Sequence, residues 1–242
     1  MEEPIVRVEH LSHRYSVQWA IRDINFEINQ KGILGLLGSN GAGKSTTMNI
    51  ICGVLNQTEG TVYINGIDTR KQPVEAKKYI GFLPQKPPLY TDHNVSEYLT
   101  YCAHLRLMDD REVKAAVESA MKRCGIAHFS KRLVKNLSGG YQQRLGIAQA
   151  IVHNPKLVVL DEPTNHLDSR GREVVSAYLS RKKSFILVSH DRYFLDGCVD
   201  HILSLNRSTI EVQKGNFSSW MENFNRQQEF ELSQNERLKK EI

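Results

Sequence analysis

Residues 38 to 45 read Gly-Ser-Asn-Gly-Ala-Gly-Lys-Ser, the spacing G-x-x-x-x-G-K-[ST]. Glycines at these intervals let a backbone wrap an anion and aim successive N–H groups at it, and a helix that follows adds partial positive charge. The chemistry is phosphate binding. Gly38, Ser39, Asn40, Gly41, Ala42, Gly43, Lys44, Ser45 and Thr46 form the cradle. Lys44 reaches the β- and γ-phosphates of a nucleotide such as ATP, and the Ser45 hydroxyl ligates Mg²⁺. A glycine-rich turn with no ligand is the plainer alternative. The second reactive stretch, Leu157-Val-Val-Leu-Asp161-Glu162, is an apolar run ending in two acids. At the end of a buried strand beside the loop, Asp161 suits the metal, directly or through water. Glu162 faces elsewhere and suits a general base on the attacking water, a role worth about 10²–10⁴ in rate. The alternative is a pair of acids stabilised at a helix start. Third, Leu137-Ser138-Gly139-Gly140-Tyr-Gln-Gln-Arg144 offers a hydroxyl and glycine amides at a helix start, a further anion site. On spacing alone Ser138 reads more simply as an N-cap before a flexible turn.

These groups need strands and helices to hold them. Gly32 to Leu37 is a continuous apolar run of the kind that makes a fully buried strand, and Ser45 to Leu55 is a helix candidate, so the glycine loop joins strand to helix. Ile24, Phe26 and Ile28 alternate with Asn25 and Glu27, and Thr61 to Ile64 closes on Asn65-Gly66; both read as β. Asn94 with Glu97 predicts a capping box ahead of a helix from Val95 to Leu107, and Asp109 with Glu112 predicts another. The second helix has Val113, Val117, Ala120, Met121 and Cys124 on one face. Ser138 opens a third helix that Asn154-Pro155 stops, and Leu157–Leu160 and Phe185–Val188 are further strand candidates. Strands alternating with helices imply an α/β fold with a mostly parallel sheet, the mid-chain helices forming a lobe of their own.

The 242 residues suffice for one sizeable domain with a subdomain or tail, and 40% apolar with 24% charged residues excludes a disordered chain. A net charge of +5 suits a phosphate-rich ligand but is too small to demand nucleic acid. No apolar run approaches the roughly 20 residues that cross a bilayer, and Met1-Glu-Glu-Pro4 lacks the layout of a secretory signal. Cys52, Cys102, Cys124 and Cys198 are far apart and read as buried, reduced thiols. From Asn216 the chain is rich in Gln, Asn, Glu and Lys, with Glu222–Arg226 and Glu236–Lys240 at the i,i+4 spacing of an exposed helix that ends without a stop signal, as a truncation would.

Taken together, Gly38–Ser45, Gln85, Leu137–Arg144, Leu157–Glu162 and His190 resemble the nucleotide-binding domain of ATP-binding cassette (ABC) ATPases over residues 4 to 215. The resemblance implies a P-loop NTPase core with an N-terminal antiparallel β subdomain, a helical subdomain over 86–153, and a charged helical tail over 216–242. It implies a head-to-tail dimer in which each ATP lies between the phosphate loop of one subunit and Ser138-Gly139-Gly140 of the other, which would explain a second anion site. Tyr15 matches the aromatic that stacks on adenine, with a plain strand aromatic as its alternative. Gln85 matches the glutamine that senses Mg²⁺ and the attacking water, Asn165-His-Leu-Asp168 the loop that meets its mate across the dimer, and His190 the histidine on the γ-phosphate. The expected roles are then Lys44 and His190 at the γ-phosphate, Ser45, Gln85 and Asp161 on Mg²⁺, and Glu162 on water.

The two ends resemble different branches. Residues 1 to about 160 are similar to an ABC exporter ATP-binding subunit. From Asp161 onward, Asp-Glu-Pro-Thr-Asn-His-Leu-Asp168, Val188-Ser-His-Asp-Arg-Tyr-Phe-Leu195 and Gly215-Asn-Phe-Ser218 resemble the first cassette of an ABC-F translation factor. Tyr141, where that branch usually has an acid, and the absence of an arm insertion between Lys86 and Asn136 argue the other way. The expectation is a chimera, natural or engineered, joined near 160–168, with a transporter-like ATPase as the milder alternative. A transporter motor would dock on a separate membrane-spanning subunit through the lobe around Pro87 to Leu99 and be cytoplasmic, peripheral at the inner face of the cell membrane. An ABC-F-type factor would instead bind the ribosome, with a second cassette. A structural-maintenance or repair ATPase is disfavoured because no long coiled coil separates the phosphate loop from Ser138.

Overall fold

The computed structural model describes residues 3–29, 32–39, 41–179, 184–205, 210–226 and 229. Strands β1 (Val6–Tyr15) and β2 (Gln18–Ile28) form a hairpin, and β4 (Glu59–Ile64) and β5 (Ile67–Asp68) complete an antiparallel sheet ordered β2-β1-β4-β5. Asn65 and Gly66, with φ of 49° and 76°, make the predicted tight turn between β4 and β5. A second sheet is ordered β10-β9-β3-β8-β7-β6, built from β3 (Gly32–Leu37), β6 (Ile80–Leu83), β7 (Leu157–Asp161), β8 (Ser184–Val188), β9 (His201–Leu205) and β10 (Ile210–Lys214). Its pairings are parallel except for β10 on β9, so the expected mostly parallel sheet and antiparallel β subdomain are both present.

Strands buried on both faces need apolar residues at every position. Along β7, Val158 and Leu160 enter one core while Leu157 and Val159 enter another; along β8, Phe185 and Leu187 part in the same way from Ile186 and Val188. The first core joins the sheet to the mid-chain helices α3 (Val95–Leu105), α4 (Asp110–Arg123) and α5 (Gly139–Ile151) through Leu99, Val117 and Ile147. The second joins it to the antiparallel sheet and α1 (Lys44–Ile51) through Met48, Ile24 and Val62. Each such side chain, fully buried, contributes about 1.5–3 kcal/mol.

Helix ends follow local chemistry. The Asn94–Glu97 capping box forms, both bonds at 2.9 Å. Helix α1 stops at Ile51, short of the predicted Leu55: Gly53 turns left-handed (φ 65°), and its N–H and that of Val54 bond back to Ile50 O (3.0 Å) and Asn49 O (2.8 Å). Helix α3 stops at Leu105 rather than Leu107, whose φ is 58°. Asp109 caps α4 through Arg111 N–H (3.0 Å) instead of a reciprocal box with Glu112, because its carboxylate is also forked to the Arg111 guanidinium at 3.0 and 2.8 Å. All four cysteines are buried and free.

Two shorter helices, α2 (Pro73–Lys78) and α7 (Arg192–Cys198), and α6 (Ser169–Leu179) connect the strands. Residues 217–226 are helical, with Phe217 and Trp220 packed on the first core and Ser218 N–H donating to Asp196 on α7 at 2.8 Å. Glu222 and Arg226 pair at 3.8 Å as their spacing predicts; Glu236–Lys240 lies outside the described residues. Among the described residues, no helix is long and apolar enough to cross a membrane.

Candidate active site

The loop after β3 turns where glycine is required. Gly43 has φ 96°, and a Cβ there would collide with Ile21 Cγ2. Ala42 N–H donates to Ser39 O at 3.1 Å and Thr47 N–H to Gly43 O at 2.8 Å, so α1 grows straight out of the loop. Lys44 Nζ folds back to donate to Gly38 O (2.7 Å) and Ser39 O (3.1 Å), holding the ammonium across the loop.

One wall of a cleft of about 460 Å³ is this loop, and its lining brings together Tyr15, Gly41, Gly43, Lys44, Ser45, Thr46, Gln85, Asp161, Glu162 and His190. Residues from five distant stretches therefore meet. Tyr15 is half exposed, with its hydroxyl 3.4 Å from Thr46 Oγ1. Ala42 is buried and, like Gly38 and Ser39, is not among the lining residues; Asn40 lies outside the described residues. Ser138, Gly139 and Gly140 line a different concavity of about 430 Å³, together with Tyr141, Arg144, His166 and Asp168.

Glu162 sits just past β7 with φ 49°, its N–H donating to Val188 O at 2.7 Å. Its carboxyl is buried. Oε2 accepts from Ser189 Oγ (3.4 Å) and His190 N–H (3.3 Å), while Oε1 has no hydrogen-bond partner and lies 3.5 Å from His190 Nε2. A buried carboxylate oxygen left without a donor is costly, and Glu162 lines the cleft. Burial, and then the Glu162 charge, push the Asp161 carboxyl above its ordinary value, against the pull of His190 and Lys44. Burial lowers the Lys44 ammonium while the charges of Asp161 and Glu162 raise it.

The set Ser45, Gln85 and Asp161 is one hydroxyl, one amide and one carboxylate, all oxygen donors on one cleft. That fits a hard cation such as Mg²⁺, which takes few protein ligands and completes its shell with phosphate and water.

The strained acid pair has a stability signature. Asp161's folded pKa lies above its ordinary 3.8, so its charge costs nothing below that pH and destabilises the fold as pH rises through the folded value. Asp161→Asn is therefore expected to raise the melting temperature at pH 7, with the gain vanishing under acid conditions. Differential scanning calorimetry of the nucleotide-free chain at both pH values checks this; an equal gain at both would refute it.

Sequence reasoning missed Gln18, Trp19, Ala20 and Val188, which also line the cleft. The signal for the first three was the short Ser16-Val17 link after Tyr15: Ser16 turns left-handed (φ 55°), pairing Tyr15 with Gln18 and Arg14 with Trp19.

The family model described as "ABC transporter" matches residues 21–165. The chain is 31% identical over 208 residues to the ABC transporter ATP-binding protein NatA of Bacillus subtilis (strain 168), covering 84% of each. It is 32% identical over 219 residues to the putative ABC transporter ATP-binding protein PF0528 of Pyrococcus furiosus, covering 88% of this chain and 81% of that one. Among solved structures it is similar to the ATP-binding cassette MJ0796 in a dimeric post-hydrolysis state bound to ADP and Pi (TM-score 0.77, 26% identity, 86% of this chain and 98% of that one). It is equally similar to cbiO1 from Clostridium perfringens, part of the ABC transporter complex cbiONQ (TM-score 0.77, 27% identity, 92% of each). NatA and PF0528 each align with more than four fifths of the chain, so each alignment runs across the joint expected near 160–168; nothing here supports a chimera or an ABC-F half. With a family match over more than half its length and such relatives, the chain belongs to the ABC transporter family, as an ATP-binding, ATP-hydrolysing subunit that serves as the transporter's motor.

Proposed function

We propose that the chain works as a head-to-tail pair, with a second copy or another cassette, each ATP held between the Lys44 loop of one subunit and Ser138-Gly139-Gly140 of the other. The observation that carries this is the state of Ser138. It occupies the N-cap position of α5 in extended conformation (φ −65°, ψ 160°), yet its side chain makes no capping bond. A serine that only capped the helix would use its hydroxyl on the N–H groups behind it. This hydroxyl is instead exposed on a concavity that shares no lining residue with the Lys44 cleft. The dimeric MJ0796 structure is in keeping with such a pair.

In this reading phosphoryl transfer passes through a loose transition state, and the protein's work is positioning and charge stabilisation. Tyr15 stacks on the base, Lys44 and His190 with the partner's Ser138 surround the γ-phosphate, and Glu162 orients the attacking water through Oε1. Ser45, Gln85 and Asp161 hold Mg²⁺, which when bound neutralises charge building on the phosphate oxygens. Residues 1–215 act as the cassette and 86–153 as its helical subdomain.

The membrane-spanning partner docks on a groove of about 630 Å³ lined by the segment after α1, by α2, by β6 and by the end of α3; none of Pro87 to Leu99, the stretch expected from sequence, lines it. Val54, Val74, Leu105 and Leu107 are exposed around it, with Lys77, Lys78 and Arg106, a surface for an apolar segment carrying acids. In this reading the subunit works in the cytoplasm, peripheral to the membrane. NatA, PF0528 and cbiO1 carry transporter names, which favours the transporter over the ribosome.

The test is specific ATPase activity against protein concentration. A shared site requires activity per chain to rise with concentration to a plateau; a flat profile extending to high dilution overturns the paired site.

A further inference from the structure

The hairpin of β1 and β2 closes one end of the cleft, where the lining is Tyr15, Gln18, Trp19 and Ala20. The Tyr15 ring is held from two sides. The His13 imidazole meets it edge-on with centroids 4.8 Å apart, and the Tyr15 hydroxyl reaches Thr46 Oγ1 at 3.4 Å, yet the residue stays 53% exposed. An aromatic face held in this way is a platform for a flat ring, and by itself it accepts every base.

Tyr15 and Gln18 are direct cross-strand partners. The side chains of such a pair stand on one face of the hairpin with Cβ atoms about 5 Å apart. The Gln18 amide is therefore beside the Tyr15 ring, at the edge of a base stacked on it. Gln18 is exposed, and its side chain has no hydrogen-bond partner among the described residues, although it carries two N–H donors and a carbonyl acceptor. Trp19 differs: the guanidinium groups of Arg14 and Arg22 lie 5.7 and 5.8 Å from its ring, so the indole is already engaged and forms a fixed wall.

A free amide matches adenine. Its carbonyl accepts from the 6-amino group while its N–H donates to the ring nitrogen on one side of that group, N1 or N7. We infer that Gln18 is a specificity-determining residue: its amide carbonyl accepts a hydrogen bond from the 6-amino group of the base carried by Tyr15, so this end of the cleft chooses adenine among flat rings. The inference rests on the reading above in which Tyr15 stacks on the base. The phosphate loop then supplies most of the affinity, and the hairpin supplies the choice.

The experiment is calorimetry on the whole chain with ATP and with purine riboside triphosphate, which has hydrogen in place of the 6-amino group. Gln18 is exposed at the first position of β2, so its substitutions leave both cores untouched. The parent is expected to bind ATP about fivefold more tightly than the analogue. Gln18→Met, similar in length and without N or O atoms in its side chain, should bring that ratio to unity. Gln18→Glu keeps an acceptor oxygen and should preserve the ratio while its charge weakens both ligands. A merely structural role for Gln18 would move both ligands equally in both variants. Tyr15→Leu is expected to weaken both ligands about tenfold. If it changes neither affinity, the stacked base and the inference fall together. If it weakens both, the inference alone falls on any of three results: a parent that binds ATP and the analogue alike, a Gln18→Met variant that keeps the parent's preference, or a Gln18→Glu variant that loses it.

Discussion

Glu162→Gln is expected to bind ATP at least as tightly as the parent, to hydrolyse it about 10²–10⁴ times more slowly, and to accumulate as an ATP-bound dimer. The argument is geometric. The Glu162 backbone is held by Val188 O and by Gln143, so the amide will occupy the carboxylate's place. What changes is Oε1, the buried oxygen with no hydrogen-bond partner at the cleft. As a carboxylate it can take a proton from water; as part of an amide it cannot. The substitution also removes a negative charge beside Asp161 and the incoming phosphates, which favours binding. With binding intact and the chemical step blocked, the nucleotide-bridged pair has no route to open. Single-turnover assays with size-exclusion chromatography in ATP check both halves, and parent-like turnover would remove Glu162 from its role.

The second large effect belongs to Lys44. Lys44→Ala should weaken ATP binding by roughly 10–150-fold, the loss of a charged hydrogen bond worth about 1.5–3 kcal/mol. Its ammonium already bridges Gly38 O and Ser39 O, so the variant loses both a phosphate contact and a tie across the loop. Adenosine, without phosphates, should bind parent and variant alike. Calorimetry with both ligands decides; unchanged ATP affinity would count against the cradle.

The strand–loop–helix unit around Lys44, the position of Asp161-Glu162 at the end of a buried strand and the Asn94 cap were legible because each is a local pattern that depends on a few neighbours. Where sequence reading ran long or short, a local competitor had won: Gly53 ended α1, and Arg111 took the carboxylate that Glu112 was expected to share. Trp19 and Gln18 escaped because a hairpin brings them to the cleft. The placement of β9 beside β3 had no local sign, since strand order in a parallel sheet is set by crossovers. Gln143 and Arg144 could be quoted within a motif, but their hydrogen-bond partners, 19 and 24 positions further on, needed the coordinates.

The interleaving of β7 and β8 between two interiors has a consequence for how the enzyme fails. Neither compartment can flood while its neighbour stays dry, because both share the same strands as a partition. The shelf bearing Asp161 and Glu162 is the end of that partition. Heat or denaturant should therefore extinguish catalysis and dismantle both compartments in a single step, leaving no half-assembled form that still burns ATP.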